Sequence, residues 1–259
     1  FASSFAAYPS SANFAESRMY VEYQEDVFVG YRYFETIPGA ADEVCYPFGY
    51  GLSYTTFALR DIAGGLNDAG EIELCATVHN TGTCAGKYVL QAYVNPPKGR
   101  MAKPATALVG FAKTRLLEPG ESETLTIAFA PYAFAAYDDE GVIQKSAYVL
   151  EKGEYRFRLG ENVRETADVA YRYALESDVI LAQLSERCAP KQLHRRMLAD
   201  GSYRVLSCAP ETPREDWRKL EGIPDEGQYP LEIPDQIPGC AWIPPIKPQL
   251  IEVANGELT

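Results

Sequence analysis

Two short stretches offer carboxyl groups side by side: Glu25 and Asp26 in QEDVF, and Asp138, Asp139 and Glu140 in YDDEG. A pair of carboxyl groups can divide the work of bond cleavage between a nucleophile or base and an acid, provided both reach the same bond from different sides. Neighbours on a strand point to opposite faces, so Glu25 and Asp26 cannot flank one substrate. The YDDEG cluster falls where a hairpin turn is expected, and acidic turn residues there should be solvated. It also lacks the loop length and regular ligand spacing of a calcium site. Two histidines, His79 and His194, complete the acid–base inventory. Cys45, Cys75, Cys84, Cys188, Cys208 and Cys240 are spread out without a C-x-x-C pair, so neither a structural metal nor any other cofactor is expected.

Bulk properties narrow the partners. The 259 residues carry a formal charge of −12 without a Lys/Arg-rich run, and phosphate backbones need a basic face, so no nucleic acid is expected. No stretch reaches the roughly 18 consecutive apolar residues of a membrane-spanning helix, so no membrane partner is expected either. Hydrophobic residues make up 46% of the chain, with 18 Tyr and 11 Phe, which places it among folded proteins rather than disordered ones. Six reduced thiols in a cytoplasmic protein are the simplest reading of the cysteines; a Cys75–Cys84 disulfide is the alternative. The chain opens on Phe1 and an irregular FASSFAAYPSSANF, so a piece of a longer protein is expected.

Elements that could position such groups fall into three textures. Residues 1–56 are aromatic-rich and irregular, with a β-prone run at Val27–Phe34 broken by Gly30. Residues 57–175 alternate with a period of two: Ile72, Leu74, Ala76 and Val78; Tyr88, Leu90, Ala92 and Val94; Leu125, Ile127 and Phe129; Tyr155, Phe157 and Leu159; Val169, Tyr171, Tyr173 and Leu175. Half-buried antiparallel strands separated by NTGTCAG, NPPKG, EPGE, DDEG and EKGE turns predict a mainly β, immunoglobulin/fibronectin type III-like sandwich of about seven strands. Residues 176–259 predict a connector, with short helices in ESDVILAQLSERC and KQLHRRMLADG and then a proline-rich strap carrying Tyr229, Ile233, Ile237, Trp242 and Ile246.

The stretch CYPFGYGLSYTTF, residues 45–57, packs aromatic rings around Gly49 and Gly51. Such glycines allow a close backbone approach, and Pro47, Phe48, Tyr50, Leu52, Tyr54 and Phe57 would fill a seam between two domains. The functional alternative places Tyr31, Arg32, Phe48 and Tyr50 around a substrate pocket. Aromatics of the sandwich strands fall mostly on the apolar parity and should be core, whereas a binding module would show exposed aromatics in a row.

EDVFVGYRYFET followed by YPFGYGLSYTTF resembles the end of the α/β sandwich domain of family 3 glycoside hydrolases, the β-glucosidase type. VHNTGTCAGKYVLQAYVNPP, LVGFAKTRLLEPGESETLTIAF and LEKGEYRFRLGENV resemble the fibronectin type III-like domain that follows in that family, in the same order. The resemblance implies an incomplete α/β domain over 1–56, the sandwich over 57–175, and a connector over 176–259 leading towards a barrel, as in members with permuted domain order. It implies hydrolysis of terminal β-glucosides by a retaining mechanism whose two carboxyl groups lie outside this chain, the nucleophilic Asp on the barrel and the acid/base Glu earlier in the α/β domain. Some members use an Asp-His pair instead, and neither His79 nor His194 sits in that motif. The expected catalytic residues of this chain are therefore none, and the partners the resemblance implies are the barrel and α/β portions of the same enzyme and a small glycoside bound through the whole protein, with a homo-oligomer as a further option. A self-standing immunoglobulin-like module that binds carbohydrate or protein is the competing reading.

Overall fold

The computed structural model describes residues 1–14, 21–186 and 193–207, which all lie within one compact unit, residues 1–214. The proline-rich strap lies outside the described residues. Twelve strands run in chain order: β1 (Phe57–Leu66), β2 (Ile72–Asn80), β3 (Val89–Asn95), β4 (Ala107–Lys113), β5 (Ser122–Phe129), β6 (Ala136–Asp138), β7 (Ala147–Leu150), β8 (Gly153–Gly160), β9 (Thr166–Leu175), β10 (Val179–Gln183), β11 (Arg195–Met197) and β12 (Tyr203–Val205). Seven of them make two facing sheets, β1-β2-β5 and β4-β3-β8-β9, every pairing antiparallel. A small third sheet, β10-β7-β6, and the β11-β12 hairpin stand beside them. No helix among the described residues is long and apolar enough to cross a membrane.

The period-two pattern forms the sandwich by burying one side chain in two. On β2, Ile72, Leu74, Ala76 and Val78 are fully buried against Leu90, Ala92, Phe157, Leu159 and Val169 of the facing sheet. Each large side chain so buried contributes about 1.5–3 kcal/mol. The outward face of β2 is polar: Thr77 shares a 3.0 Å hydroxyl hydrogen bond with Thr124 opposite, and His79 Nδ1 lies 2.9 Å from Ser122 Oγ. Sheets can approach closely where β4 has Gly110, because a Cβ there would lie 2.6 Å from Ile127 Cγ2. Asn80 closes one end of the sandwich from a fully buried position. Its Nδ2 donates to the Cys84 and Leu117 carbonyls at 2.8 and 2.9 Å, while Oδ1 accepts from the Thr55 hydroxyl at 2.7 Å.

Several local expectations change. Tyr31–Phe34, within the β-prone run, is one helical turn, entered through Gly30 at φ 60°. The two short helices expected after residue 175 are strands at the positions described: Val179–Gln183 pairs with β7, and Arg195–Met197 pairs with β12. A branched Val-Ile start suits an edge position beside β7, and the Gly that would have ended a helix, Gly201 at φ 84°, turns a hairpin instead. Its amide donates to the Leu198 carbonyl at 2.9 Å, and the Leu198 amide donates to the Ser202 carbonyl at 2.8 Å.

YDDEG does enter the hairpin connection between β6 and β7, and Glu140 is exposed there, but its first acid is not solvated. Asp138, at the end of β6, is buried, and its two oxygens accept from the amides of Gly141, Val142, Ile143 and Gln144 at 2.7–3.0 Å. Burial works to raise its pKa, but the four amide donors outweigh that and hold the carboxyl below the usual range. Glu151, also buried, fixes the 97–103 loop by accepting from the Arg100 and Met101 amides at 2.7 and 3.2 Å and from the Lys103 ammonium. There too burial is outweighed, and its carboxyl is held low.

Stability carried by carboxyls with lowered folded pKa values is present above their unfolded pKa, about 4, and is lost as pH falls through the folded values. Denaturant midpoints should therefore drop below about pH 4, and Asp138→Asn, which leaves amides unpaired, should cost about 2–3 kcal/mol at pH 7 and flatten that acid limb. An Asp138→Asn variant with wild-type stability across this pH range would contradict the assignment. Gly110→Val should cost about 1–3 kcal/mol by overpacking against Ile127, read from the shift in the urea midpoint.

Candidate functional site

The sandwich presents β3 to the segment that precedes it. Leu90, Ala92 and Val94 face the core, but Gln91 and Tyr93 on the other side are buried as well, because residues 31–49 cover them. Gln91 spends its whole side chain on this junction. Its Nε2 donates to the Gly49 carbonyl at 3.1 Å and to the Glu161 carbonyl, and its Oε1 accepts from the Tyr93 hydroxyl at 2.6 Å. Gly49 meets the requirement read from the sequence: at φ 86°, a Cβ would lie 2.2 Å from Gln91 Oε1. Gly51 has no such neighbour, with nothing within 4 Å of a Cβ placed there.

The turn between β8 and β9 grips the same segment. Val163 N–H donates to the Phe48 carbonyl at 3.0 Å, Arg164 Nε to Glu35 at 2.9 Å, and an Arg164 terminal nitrogen to the Ala41 carbonyl at 3.1 Å. From β4, Leu108 N–H donates to the Tyr31 hydroxyl at 2.9 Å; from the 95–106 loop, Ala105 N–H donates to Thr36 Oγ1 at 2.9 Å.

Four residues were candidates for a substrate pocket. Tyr31 and Phe48 stack with centroids 4.1 Å apart and planes 17° from parallel, and Tyr50 leans on Tyr46 at 5.0 Å. Phe48 and Tyr50 come together with Tyr46 and Leu52 along a hollow of about 410 Å³, where Phe48 is 40% and Tyr50 45% exposed. Tyr31 lies against Phe48 with its hydroxyl engaged by the backbone, and Arg32 is exposed and does not line the hollow. The remaining rings of CYPFGYGLSYTTF divide: Phe57 packs on Tyr88 at the edge of the core, while Tyr54 is exposed.

Three of the places where carboxyl groups come together among the described residues bear on the search for a bond-cleaving pair. Glu25 and Asp26 sit in a turn rather than on a strand, with Asp26 at φ 53°. Arg196, nearly buried on β11, pairs with Asp26 at 3.2 Å, with both oxygens of Asp139 and with Glu140 at 3.5 Å, so the acids of QEDVF and YDDEG share one guanidinium. Burial pushes the Asp26 carboxyl up, and Arg196 only partly counters it. Burial likewise raises the Glu25 carboxyl. The third place, Glu161 and Glu165, was not singled out in the sequence. The two carboxyls hydrogen-bond to each other, and this, with burial, pushes Glu161 up to about 7 while Glu165 is held low. Two carboxyls in direct contact lack the gap of about 5–5.5 Å that a retaining pair needs. The four-residue spacing inside GENVRET was the available signal, since a tight turn brings such positions together. His194 pairs with Glu22 at 2.6 Å. Cys45, Cys75 and Cys84 are free thiols, so the Cys75–Cys84 bridge is absent. Among the described residues no three His, Cys, Asp or Glu side chains converge as a metal-binding set.

Comparison with known proteins follows this anatomy. The fibronectin type III-like domain model matches residues 88–163, from the start of β3 to the β8–β9 turn. A β-glucosidase A from Butyrivibrio fibrisolvens is 48% identical over 220 residues, covering 80% of this chain and 26% of that protein. The crystal structure of a β-glucosidase from Paenibacillus barengoltzii superposes with a TM-score of 0.68 at 42% identity, over 80% of this chain and 23% of that one. The glycoside hydrolase family 3 β-glucosidase of Bifidobacterium adolescentis superposes with a TM-score of 0.55 at 32% identity, over 71% of this chain and 26% of that one. The chain spans about a quarter of the length of the curated relatives it matches. Sandwich, seam and motif order thus agree with part of full-length enzymes of one kind, and the chain belongs to glycoside hydrolase family 3, as the portion that carries the fibronectin type III-like domain.

Proposed function

We propose that the whole protein hydrolyses terminal β-glucosides or related small glycosides with retention, by two carboxyl groups outside this chain, and that this chain braces the parts that hold them. What supports the brace is the lock at the seam: Gln91 of β3, with Val163 and Arg164 of the β8–β9 turn, holds the Gly49, Phe48 and Ala41 carbonyls and the Glu35 carboxylate. The names of the matched relatives support the reaction.

The domain limits 1–56, 57–175 and 176–259, a permuted domain order, a cytoplasmic setting and assembly with a second copy belong to the same reading. Free Cys45, Cys75 and Cys84 suit a reducing compartment. Within the whole protein, Phe48 and Tyr50, with Tyr31 behind and Arg32 nearby, either support the seam or border the sugar pocket, and the engaged Tyr31 hydroxyl and Phe48 carbonyl favour the seam.

Two measurements test this. The purified chain should release no product from an aryl β-glucoside, and activity should appear only when the remaining portions of the protein are supplied; turnover by the chain alone would refute the proposal. In the full-length protein, Phe48→Ala should cost about 1–2 kcal/mol of stability and change KM by less than about twofold. A severalfold rise in KM with unchanged melting would move Phe48 from the seam to the pocket.

A further inference from the structure

Residues 22–26 form the turn on which β11 is seated, and their polar groups meet residues 194–197 almost one for one. Glu22 pairs with His194 at 2.6 Å, and Asp26 pairs with Arg196 at 3.2 Å. Between them, Gln24 accepts from Arg195 Nε through its side chain and from the Met197 amide through its carbonyl, the latter at 2.8 Å. Glu25 is the exception. It is only 4% exposed, yet its buried Oε2 finds no hydrogen-bond donor among the described residues. Local geometry turns it inward: Asp26 at φ 53° closes a tight turn in which the Phe28 amide donates to the Glu25 carbonyl at 2.9 Å, and Glu25 and Phe28 are buried together.

The charged and titratable groups nearby are all committed elsewhere. Tyr203 of β12 lies close enough to feel the charge of Glu25, and Tyr33 lies close to Tyr203. Arg195 stacks on the Tyr203 ring at 4.5 Å and is hydrogen-bonded to Gln24, while Arg196 is shared by Asp26, Asp139 and Glu140. A buried acid without a counter-charge is tolerated in its neutral form, because the ionised form would lose its hydration with nothing to replace it. To ionise, Glu25 has to reach water. The contact that yields most readily is the β11–β12 hairpin, an isolated two-stranded pair whose Tyr203 and Val205 are already exposed.

We propose that Glu25 is a pH-sensitive catch: protonated, it lets the β11–β12 hairpin seat on residues 22–26, and ionised, it frees the hairpin and uncovers the cluster of Phe28, Phe34 and Ile37 that Met197 completes. Burial raises the Glu25 carboxyl, and this sets the sign. Stability from a carboxyl raised in the folded state is complete below its unfolded pKa, about 4, and is lost as pH rises through the folded value. That is opposite to Asp138 and Glu151, whose contribution is lost on acidification. Asp26 is raised as well and acts in the same direction as Glu25, so the comparison must change Glu25 alone. No catalysis is involved, so this inference and the proposed function fail independently.

The test follows amide hydrogen exchange over residues 194–206 of the 259-residue chain, corrected for intrinsic rates, at about pH 5 and about pH 8. In the wild-type chain the corrected exchange should rise at least about fivefold between the two, and Glu25→Gln, which is neutral at both, should remove most of that rise. An unchanged wild type, or an equal rise in Glu25→Gln that assigns the effect to Asp26 or His194, would overturn the proposal. Should Glu25→Gln not fold, the carboxyl 13C shift of Glu25 in the wild-type chain decides. A midpoint clearly above the ordinary glutamate value of about 4.3 supports the catch, and one at or below it overturns the proposal.

Discussion

One buried amide governs this structure. Gln91 lies on a central strand with both faces covered, where an unpaired polar group would cost several kcal/mol, and it escapes that cost only because Gly49, Glu161 and Tyr93 all reach it. The requirement propagates outward. Gly49 must have no side chain, the β8–β9 turn must lie close enough for the Glu161 carbonyl to arrive, and residues 31–49 must lie flat on the sheet. The sandwich and the segment before it are thus one packed body around a hydrogen-bond junction rather than two modules joined by a tether.

What the sequence disclosed, it disclosed through periodicity. Ile72, Leu74, Ala76 and Val78 alternate cleanly because one face of β2 is solvated, so the sandwich could be read directly. The same rule misdescribed β3, where Gln91 and Tyr93 look like a solvent face until the neighbouring segment covers them. Short elements were harder: VILAQ and RRM hold too few residues for a period to decide, and Gly201 serves equally as a helix stop or a hairpin turn. Of the candidate site, the glycine requirement at position 49 was legible. The contact between Glu161 and Glu165 was not, since it depends on how tightly the β8–β9 turn closes.

Polar groups inside the molecule follow a consistent rule. Asp138 is surrounded by amides, Glu151 by two amides and an ammonium, and Arg196 by three acids. Each ties a loop to the body of the fold through polar contacts, alongside the few apolar side chains, such as Met101 and Ile143, that those loops bury. Buried ionic groups of this kind add little net stability over an apolar substitute, but removing one partner strands the others, so they specify a single loop conformation. The acidic stretches that first suggested chemistry serve this purpose.

The Arg196 cluster also bears on the order of assembly. It joins residues 26, 139 and 196, and beside it the Met197 amide donates to the Gln24 carbonyl at 2.8 Å, so chain segments on either side of the whole sandwich are held together. Closing so long a loop in an extended polypeptide is entropically costly, although the cost rises only with the logarithm of length. Once the intervening strands have collapsed, far less freedom remains to be lost. Met197 of β11 also completes the apolar cluster of Phe28, Phe34 and Ile37, so that cluster is covered on this side only by a segment that follows the entire sandwich in the chain.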